Sequence, residues 1–211
     1  MITGKIVQTY QGLSAQYQIL SEDGSVTEAS VPYNVSMGSI YCNMPDGAGY
    51  GLRFDFSHGL SNWTKELEQR EYARYRVEDV TGREAGYVCL KRVKGLFSGY
   101  PYHEVSLDGQ LFHIYGIGLG KEGKKYPLYL VQGNQELQVG QLHKPCVVEN
   151  MRDVYEYRVV DKKYAAPIIL YTLYEDLLYN GNRGKIPMKS KEVTLEVTLN
   201  KKLKEKYDPN F

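Results

Sequence analysis

The run Pro167-Ile168-Ile169-Leu170-Tyr171-Thr172-Leu173-Tyr174-Glu175-Asp176-Leu177-Leu178-Tyr179 limits what this chain can fold into more than any other segment. Pro167 suits the first turn of a helix, where its missing N–H costs nothing, and Asn180-Gly181 suits a C-cap, so the helix is expected at about 167–180. At 3.6 residues per turn, Thr172, Glu175 and Asp176 fall on one narrow stripe. Ile168, Ile169, Leu170, Leu173, Tyr174, Leu177 and Leu178 cover the rest of the circumference. A helix apolar nearly all round is a buried helix, so the remaining chain has to surround it. The two acids are expected where the helix meets solvent at an open end, or beside a Lys or Arg.

The remaining chain reads as strands. Alternation of apolar and polar residues predicts hairpins at Tyr17–Leu20 with Val26–Val31, Ser39–Asn43 with Tyr50–Phe56, and Tyr75–Glu78 with Ala85–Leu90. It predicts further hairpins at Tyr102–Ser106 with Leu111–Tyr115 and at Pro127–Val131 with Leu137–Leu142, and single strands at Ile6–Tyr10, Val154–Val160 and Val193–Leu199. Asp23-Gly24, Asp79 to Gly82 and Asp108-Gly109 are turn signals, because Asp and Gly tolerate the positive φ of tight hairpins. Twenty tyrosines against 5 Phe and 1 Trp point the same way, since Tyr favours half-buried strand positions. A short helix is expected between Ser61 and Arg70, and the charged tail 201–211 is expected to be loosely ordered. No composition break divides residues 1–211, which argues for one β-rich domain.

Hairpins around one all-apolar helix imply a mainly antiparallel, closed or nearly closed β-barrel, in which closure removes strand edges and the helix fills the lumen. In this the sequence resembles the tubby C-terminal-like superfamily, which includes LURP-one-related proteins and phospholipid scramblases. The resemblance rests on the Asp-x-Gly hairpins around Tyr75–Leu90 and Tyr102–Tyr115 and on the Pro167–Tyr179 helix, over residues 72–180. It departs from the family pattern in the residues that follow the helix, among them a strand. The resemblance implies a binding or scaffold protein, in some members a binder of phosphoinositides or membrane lipids.

No cofactor fingerprint is present. Gly47-Ala48-Gly49-Tyr50-Gly51 lacks the Lys-Ser/Thr of a phosphate loop and reads as a hairpin loop. Cys42, Cys89 and Cys146 form no CxxC pair, which argues against a structural zinc site and for small core residues in a reducing, cytoplasmic compartment. His103 and His113, with Glu104, stand on facing strands of one hairpin as a candidate metal or acid–base pair, but read more simply as polar surface. A net charge of +1 gives no global field towards nucleic acid, and no apolar run is long enough to span a bilayer. Basic loops are what point to a partner: Lys91, Arg92 and Lys94 beside Tyr100 and Tyr102, and Lys121, Lys124 and Lys125. Cations flanked by aromatics suit anionic lipid headgroups, and the Tyr-rich sheet offers an alternative as a protein-interaction surface. A hydrolase or carbohydrate site in the barrel mouth is the third reading.

Overall fold

The computed structural model describes all residues except 13, 33–38, 59–61, 63–64, 67–68, 96–98, 150–151, 181–190 and 194–195. Its strands are β1 (Ile2–Gln11), β2 (Ser14–Ser21), β3 (Val26–Pro32), β4 (Ile40–Asn43), β5 (Gly49–Phe54), β6 (Tyr72–Asp79), β7 (Glu84–Val93) and β8 (Tyr100–Leu107). They continue with β9 (Gln110–Ile114), β10 (Ile117–Gly120), β11 (Lys124–Gln132), β12 (Gln135–Lys144), β13 (Val147–Glu149), β14 (Val154–Val159), β15 (Lys191–Val193) and β16 (Glu196–Val197). Antiparallel pairing runs from β12 through β14, β1 to β9 in sequence order, and β11, which returns to β12 and closes a 12-strand barrel. β10 and β16 extend the sheet from β11, and β13 pairs with β15.

The expected helix lies near the barrel axis. It opens with a 3₁₀ turn at Lys162–Tyr164, where Asp161 Oδ1 accepts from Lys163 N, continues as α1 (Ala165–Glu175), and ends in a π turn, Asp176–Asn180. Pro167 is its third α residue, so the absent N–H breaks no intrahelical bond. All eleven residues of α1 are buried. Each wall strand sends an aliphatic side chain to the same core, from Ile6 and Ile19 of β1 and β2 round to Leu142 and Val159 of β12 and β14. Eight strands enclose a lumen that side chains alone can fill; twelve enclose more, and the helix occupies the difference.

Local sequence chemistry holds the wall in register. Asp108 and Gly109 have φ of 47° and 79°, and their two-residue turn sets Leu107 against Gln110. Gly4 faces Tyr157 across β1 and β14, where a Cβ would run into the Tyr157 ring. Because hairpin turns alternate between barrel ends, the turns before β3, β5, β7, β9 and β12 share the near end, where the helix begins and Lys162 Nζ meets Asp23 Oδ2 at 2.8 Å. The β7–β8 connection and the start of β11 lie at the far end, with the helix C-terminus.

Three expectations need correction or addition. Glu175 and Asp176 do not meet solvent: they are 3% and 0% exposed, inside the wall. The tail is docked, not loose: α2 (Lys201–Glu205) is capped by Asn200 Oδ1 accepting from Leu203 N, and Leu203 is buried among Tyr115, Ile117 and Tyr129. Alternation did not single out β10, which is too short to display a period. Ser61, Trp63 and Leu67 of the expected short helix, Leu96 to Ser98, the cap glycine Gly181 with the loop to Ser190, and Thr194 and Leu195 lie outside the described residues. Among the described residues no helix is long and apolar enough to cross a membrane.

Filling the lumen is a packing requirement, so truncating the helix should be costly. Leu173→Ala is expected to destabilise the chain by about 3 kcal/mol in urea unfolding, by lost transfer energy and the cavity left behind. Leu199→Ala, at a position 85% exposed, should change stability by less than about 0.5 kcal/mol. Equal effects would mean that the helix is not enclosed.

Candidate functional site

The far end of the barrel gathers the residues singled out from sequence, but not all in the role expected of them. Arg92 and Lys94 are exposed at the end of β7, and Lys121 is exposed in the turn before β11. The Arg92 guanidinium lies 5.5 Å from the Tyr72 ring centre. Lys124 begins β11 with its ammonium 5.2 Å from the Tyr126 ring centre. Lys91 points to the outer wall instead, 13% exposed, 3.6 Å from Glu71 and 3.8 Å from Glu104. Tyr100 and Tyr102 are not free aromatics beside those cations. They pack with Tyr115, Ile117, Tyr129 and Leu203 under the C-terminal segment, with Tyr102 stacked on Tyr115 at 5.7 Å. Lys206 fastens that cover, donating to Glu136 Oε2 at 2.6 Å and to Tyr115 Oη at 3.3 Å.

Lys125 belongs to a separate groove of about 550 Å³ on the outer wall, lined also by Lys5, Gln141, His143, Glu156 and Arg158. Lys5 pairs with Glu156 at 2.8 Å, and His143 Nδ1 approaches the same carboxylate at 3.7 Å. Burial and the neighbouring Arg158 together lower the Lys125 pKa. Gln141 is buried and its Oε1 has no hydrogen-bond partner. A second pocket of about 280 Å³ opens at the near end beside Met44, Pro45, Ala165 and Ala166, rimmed by Glu22, Asp23 and Asp46.

The interior of the far end holds a polar cluster that sequence reading missed. Tyr155 Oη donates to Asp176 Oδ1 at 2.7 Å, and Tyr17 Oη donates to Asp176 Oδ2. Lys144 Nζ reaches Tyr155 Oη at 3.4 Å and Asp153 Oδ1 at 2.9 Å. Gln8 closes the ring, accepting from Asp153 N at 3.3 Å and donating to Tyr17 Oη at 3.2 Å. The signal lay in β1: Gln8 shares the core-facing period of Ile6, and a polar residue there needs buried partners. Beside this ring, Tyr126 Oη donates to Glu175 Oε1 at 3.0 Å, and His103 Nε2 stands 3.7 Å from Glu175 Oε2. Burial raises the Glu175 pKa, against Lys124 and the Tyr126 hydroxyl. Burial, assisted by Lys124, lowers His103 to about 3, so it is a neutral ring among Tyr171 and Tyr174.

The suggested His103/His113 pair does not form. Strand alternation sends His103 into the lumen, while His113, opposite Glu104 in register, lies on the outer wall. There His113 Nδ1 meets Glu136 Oε1 at 2.6 Å and Nε2 lies 3.6 Å from Glu104 Oε2. Burial would lower the His113 pKa, but these two carboxylates outweigh it and raise it. Cys42 is a core residue as expected; Cys89 is equally buried but lies on the outer wall.

Two outcomes follow from the interior cluster. Tyr155→Phe removes a donor to a buried carboxylate and is expected to cost about 2 kcal/mol in denaturant unfolding, whereas the exposed Tyr41→Phe should be neutral. Glu175 has a folded pKa raised above its unfolded value, so its contribution is complete below about pH 4.5 and is lost as pH rises through the folded value. Measured against Glu175→Gln, the wild-type chain should therefore lose relative stability with rising pH above 4.5, by at most about 1.4 kcal/mol per pH unit. A pH-independent difference would mean that Glu175 is solvated.

No family model matches the chain, and neither a curated protein nor a solved structure shows significant similarity to it.

Proposed function

We propose that the chain is a non-catalytic binding module of tubby-like type that takes anionic ligands, acidic lipid headgroups foremost, at the far end of the barrel. The observation supporting this reading is that two basic loops distant in sequence share that end, with Arg92, Lys94 and Lys121 exposed. Two acids at the same end are turned inward, Asp176 held by Tyr17 and Tyr155 and Glu175 by Tyr126, so that of the exposed groups there Arg92, Lys94 and Lys121 are faced by Glu122 and Glu66. A lumen packed with helix offers no room for a substrate at the barrel centre, which favours surface binding over catalysis. The alternative of a tyrosine-based interaction face has less support, because Tyr100, Tyr102, Tyr115 and Tyr129 are already packed under the C-terminal segment.

Co-sedimentation with phosphatidylcholine vesicles, with and without phosphatidylserine, tests the reading. Binding should require the acidic lipid and weaken with salt. Each cation near an anionic surface contributes about 1 kcal/mol, so reversing Arg92, Lys94 and Lys121 together to Glu should weaken binding by roughly 100-fold or more. Lys163→Glu, at the near end, is the matched control. Absence of binding by the wild-type chain, or an equal loss in the control, would overturn the proposal.

A further inference from the structure

The outer-wall groove that holds Lys125 is built across four neighbouring strands, β11, β12, β14 and β1. Register sets its side chains in two rows. Lys125 lies opposite His143, His143 opposite Glu156, and Glu156 opposite Lys5. In the second row Pro127 lies opposite Gln141, Gln141 opposite Arg158, and Arg158 opposite Thr3. The enclosed volume of about 550 Å³ is that of a small-molecule site.

Both acids that line the groove already have partners. Glu156 holds Lys5 at 2.8 Å, and Glu22 Oε2 accepts from Thr3 N at 3.0 Å and Thr3 Oγ1 at 3.3 Å. Lys125 and Arg158 are different: both are half-buried, and among the described residues neither makes an ion pair. Arg158 has the Phe211 ring beside it, 5.8 Å from the guanidinium carbon. Burial and then repulsion from Arg158 lower the Lys125 pKa, against the pull of Glu122 and Glu156. Gln141 stands on the strand between these two cations. It is 2% exposed, yet its Oε1 has no hydrogen-bond partner. Pro127, opposite it on β11, has no donor to give. A buried acceptor without a donor destabilises the chain, and a ligand that brings the donor recovers that loss.

Two unpaired cations call for an anion, and the orphaned oxygen calls for a hydrogen-bond donor. Sulfate and ionised carboxylates supply charge without a donor, and a neutral sugar supplies donors without charge. Hydrogen phosphate supplies both, because each of its forms near neutral pH keeps a P–OH beside its charged oxygens. We propose that this groove binds hydrogen phosphate, with Lys125 and Arg158 on its charged oxygens and Gln141 Oε1 accepting from its P–OH. The guanidinium fork is shaped to bond two phosphate oxygens at once, and the Gln141 amide N–H groups serve a third. Bound phosphate also ends the repulsion between the two cations. None of Arg92, Lys94 and Lys121 lines this groove, so it is separate from the far-end loops.

Calorimetric titration of the full chain with inorganic phosphate and with sulfate, at neutral pH and matched ionic strength, tests the proposal. A single phosphate should bind, and sulfate should bind roughly tenfold or more weakly, since it leaves Gln141 Oε1 unpaired. Lys125→Gln and Arg158→Gln should each weaken phosphate binding by roughly tenfold or more, and Lys163→Gln at the near end should not. Gln141→Leu removes the acceptor and should bring phosphate and sulfate to equal affinity. If Gln141→Leu does not fold, the wild-type preference for phosphate and the two cation variants carry the test. Reversing Arg92, Lys94 and Lys121 to Glu should leave phosphate affinity unchanged, which keeps this site distinguishable from lipid binding at the far end. Phosphatidic acid presents the same group from a membrane, and its vesicles should bind independently of Lys125. No phosphate binding, equal affinity for sulfate, or unchanged affinity in both cation variants overturns the proposal. So does a loss in the far-end reversal, or vesicle binding that requires Lys125 while free phosphate does not bind.

Discussion

A wall of twelve strands encloses a volume that its own inward side chains cannot fill, and the rest of the molecule follows from that constraint. The lumen has to receive an element with an apolar surface in every direction and with its own backbone hydrogen bonds satisfied. A helix meets both conditions, and α1 is buried along its whole length among aliphatic side chains drawn from all twelve strands. Helix and wall are therefore interdependent: without the helix the wall surrounds a void, and without the wall the helix has only the narrow stripe of Thr172, Glu175 and Asp176 to turn towards water.

That arrangement creates a second demand at the far end, where helix carbonyls, Glu175 and Asp176 bring negative potential into a low-dielectric space. Tyrosine answers it, because one residue supplies a ring for the core and a hydroxyl donor for a carboxylate. Tyr17, Tyr126 and Tyr155 all serve in this way, with Lys144 drawn in behind Tyr155. On the outer wall the division of labour changes. Tyr115 and Tyr129 bury their rings against Leu203, while the Tyr129 hydroxyl donates to Lys206 O and the Tyr115 hydroxyl to Glu136 Oε1 at 2.5 Å. The tyrosine bias of the composition thus reflects two sets of contacts on opposite faces of one sheet.

What was legible in the sequence was what depends on neighbours along the chain. Alternation located the hairpins, Asp-Gly turns located their reversals, and the all-round apolarity of 168–178 required enclosure, from which a barrel followed. What was not legible depends on pairs distant in sequence. Glu175 and Asp176 read as solvent-facing because their partners Tyr126, Tyr17 and Tyr155 come from three separate strands. Tail residues 201–211 read as loose because the cluster that receives Leu203 is assembled from β8, β10, β11 and Tyr115, which follows β9. His103 and His113 looked like partners until register placed Glu104, not His103, opposite His113. Likewise, nothing along the chain places Glu104 opposite Cys89, which strand pairing does, with Glu71 close to both.

Once the lumen is closed, chemistry is confined to the outside of the wall, and the outside is not uniform. Around β2 and β3 it is a polar ladder, in which Gln16 Nε2 donates to Ser14 Oγ and Ser30 Oγ at 3.1 and 3.2 Å. Around β7, β8, β9 and β11 it is covered, by Glu71 on one side and by the C-terminal segment on the other. This cover allows carboxylates, a thiol and histidines to be buried on a face that would otherwise be solvated, and burial is what shifts their protonation and holds their geometry. The half of the barrel that invests chain in covering its wall is the half where its titratable side chains converge. Function that depends on buried polar groups is therefore to be sought on this covered face, and function that depends on exposed charge at the far end beside it.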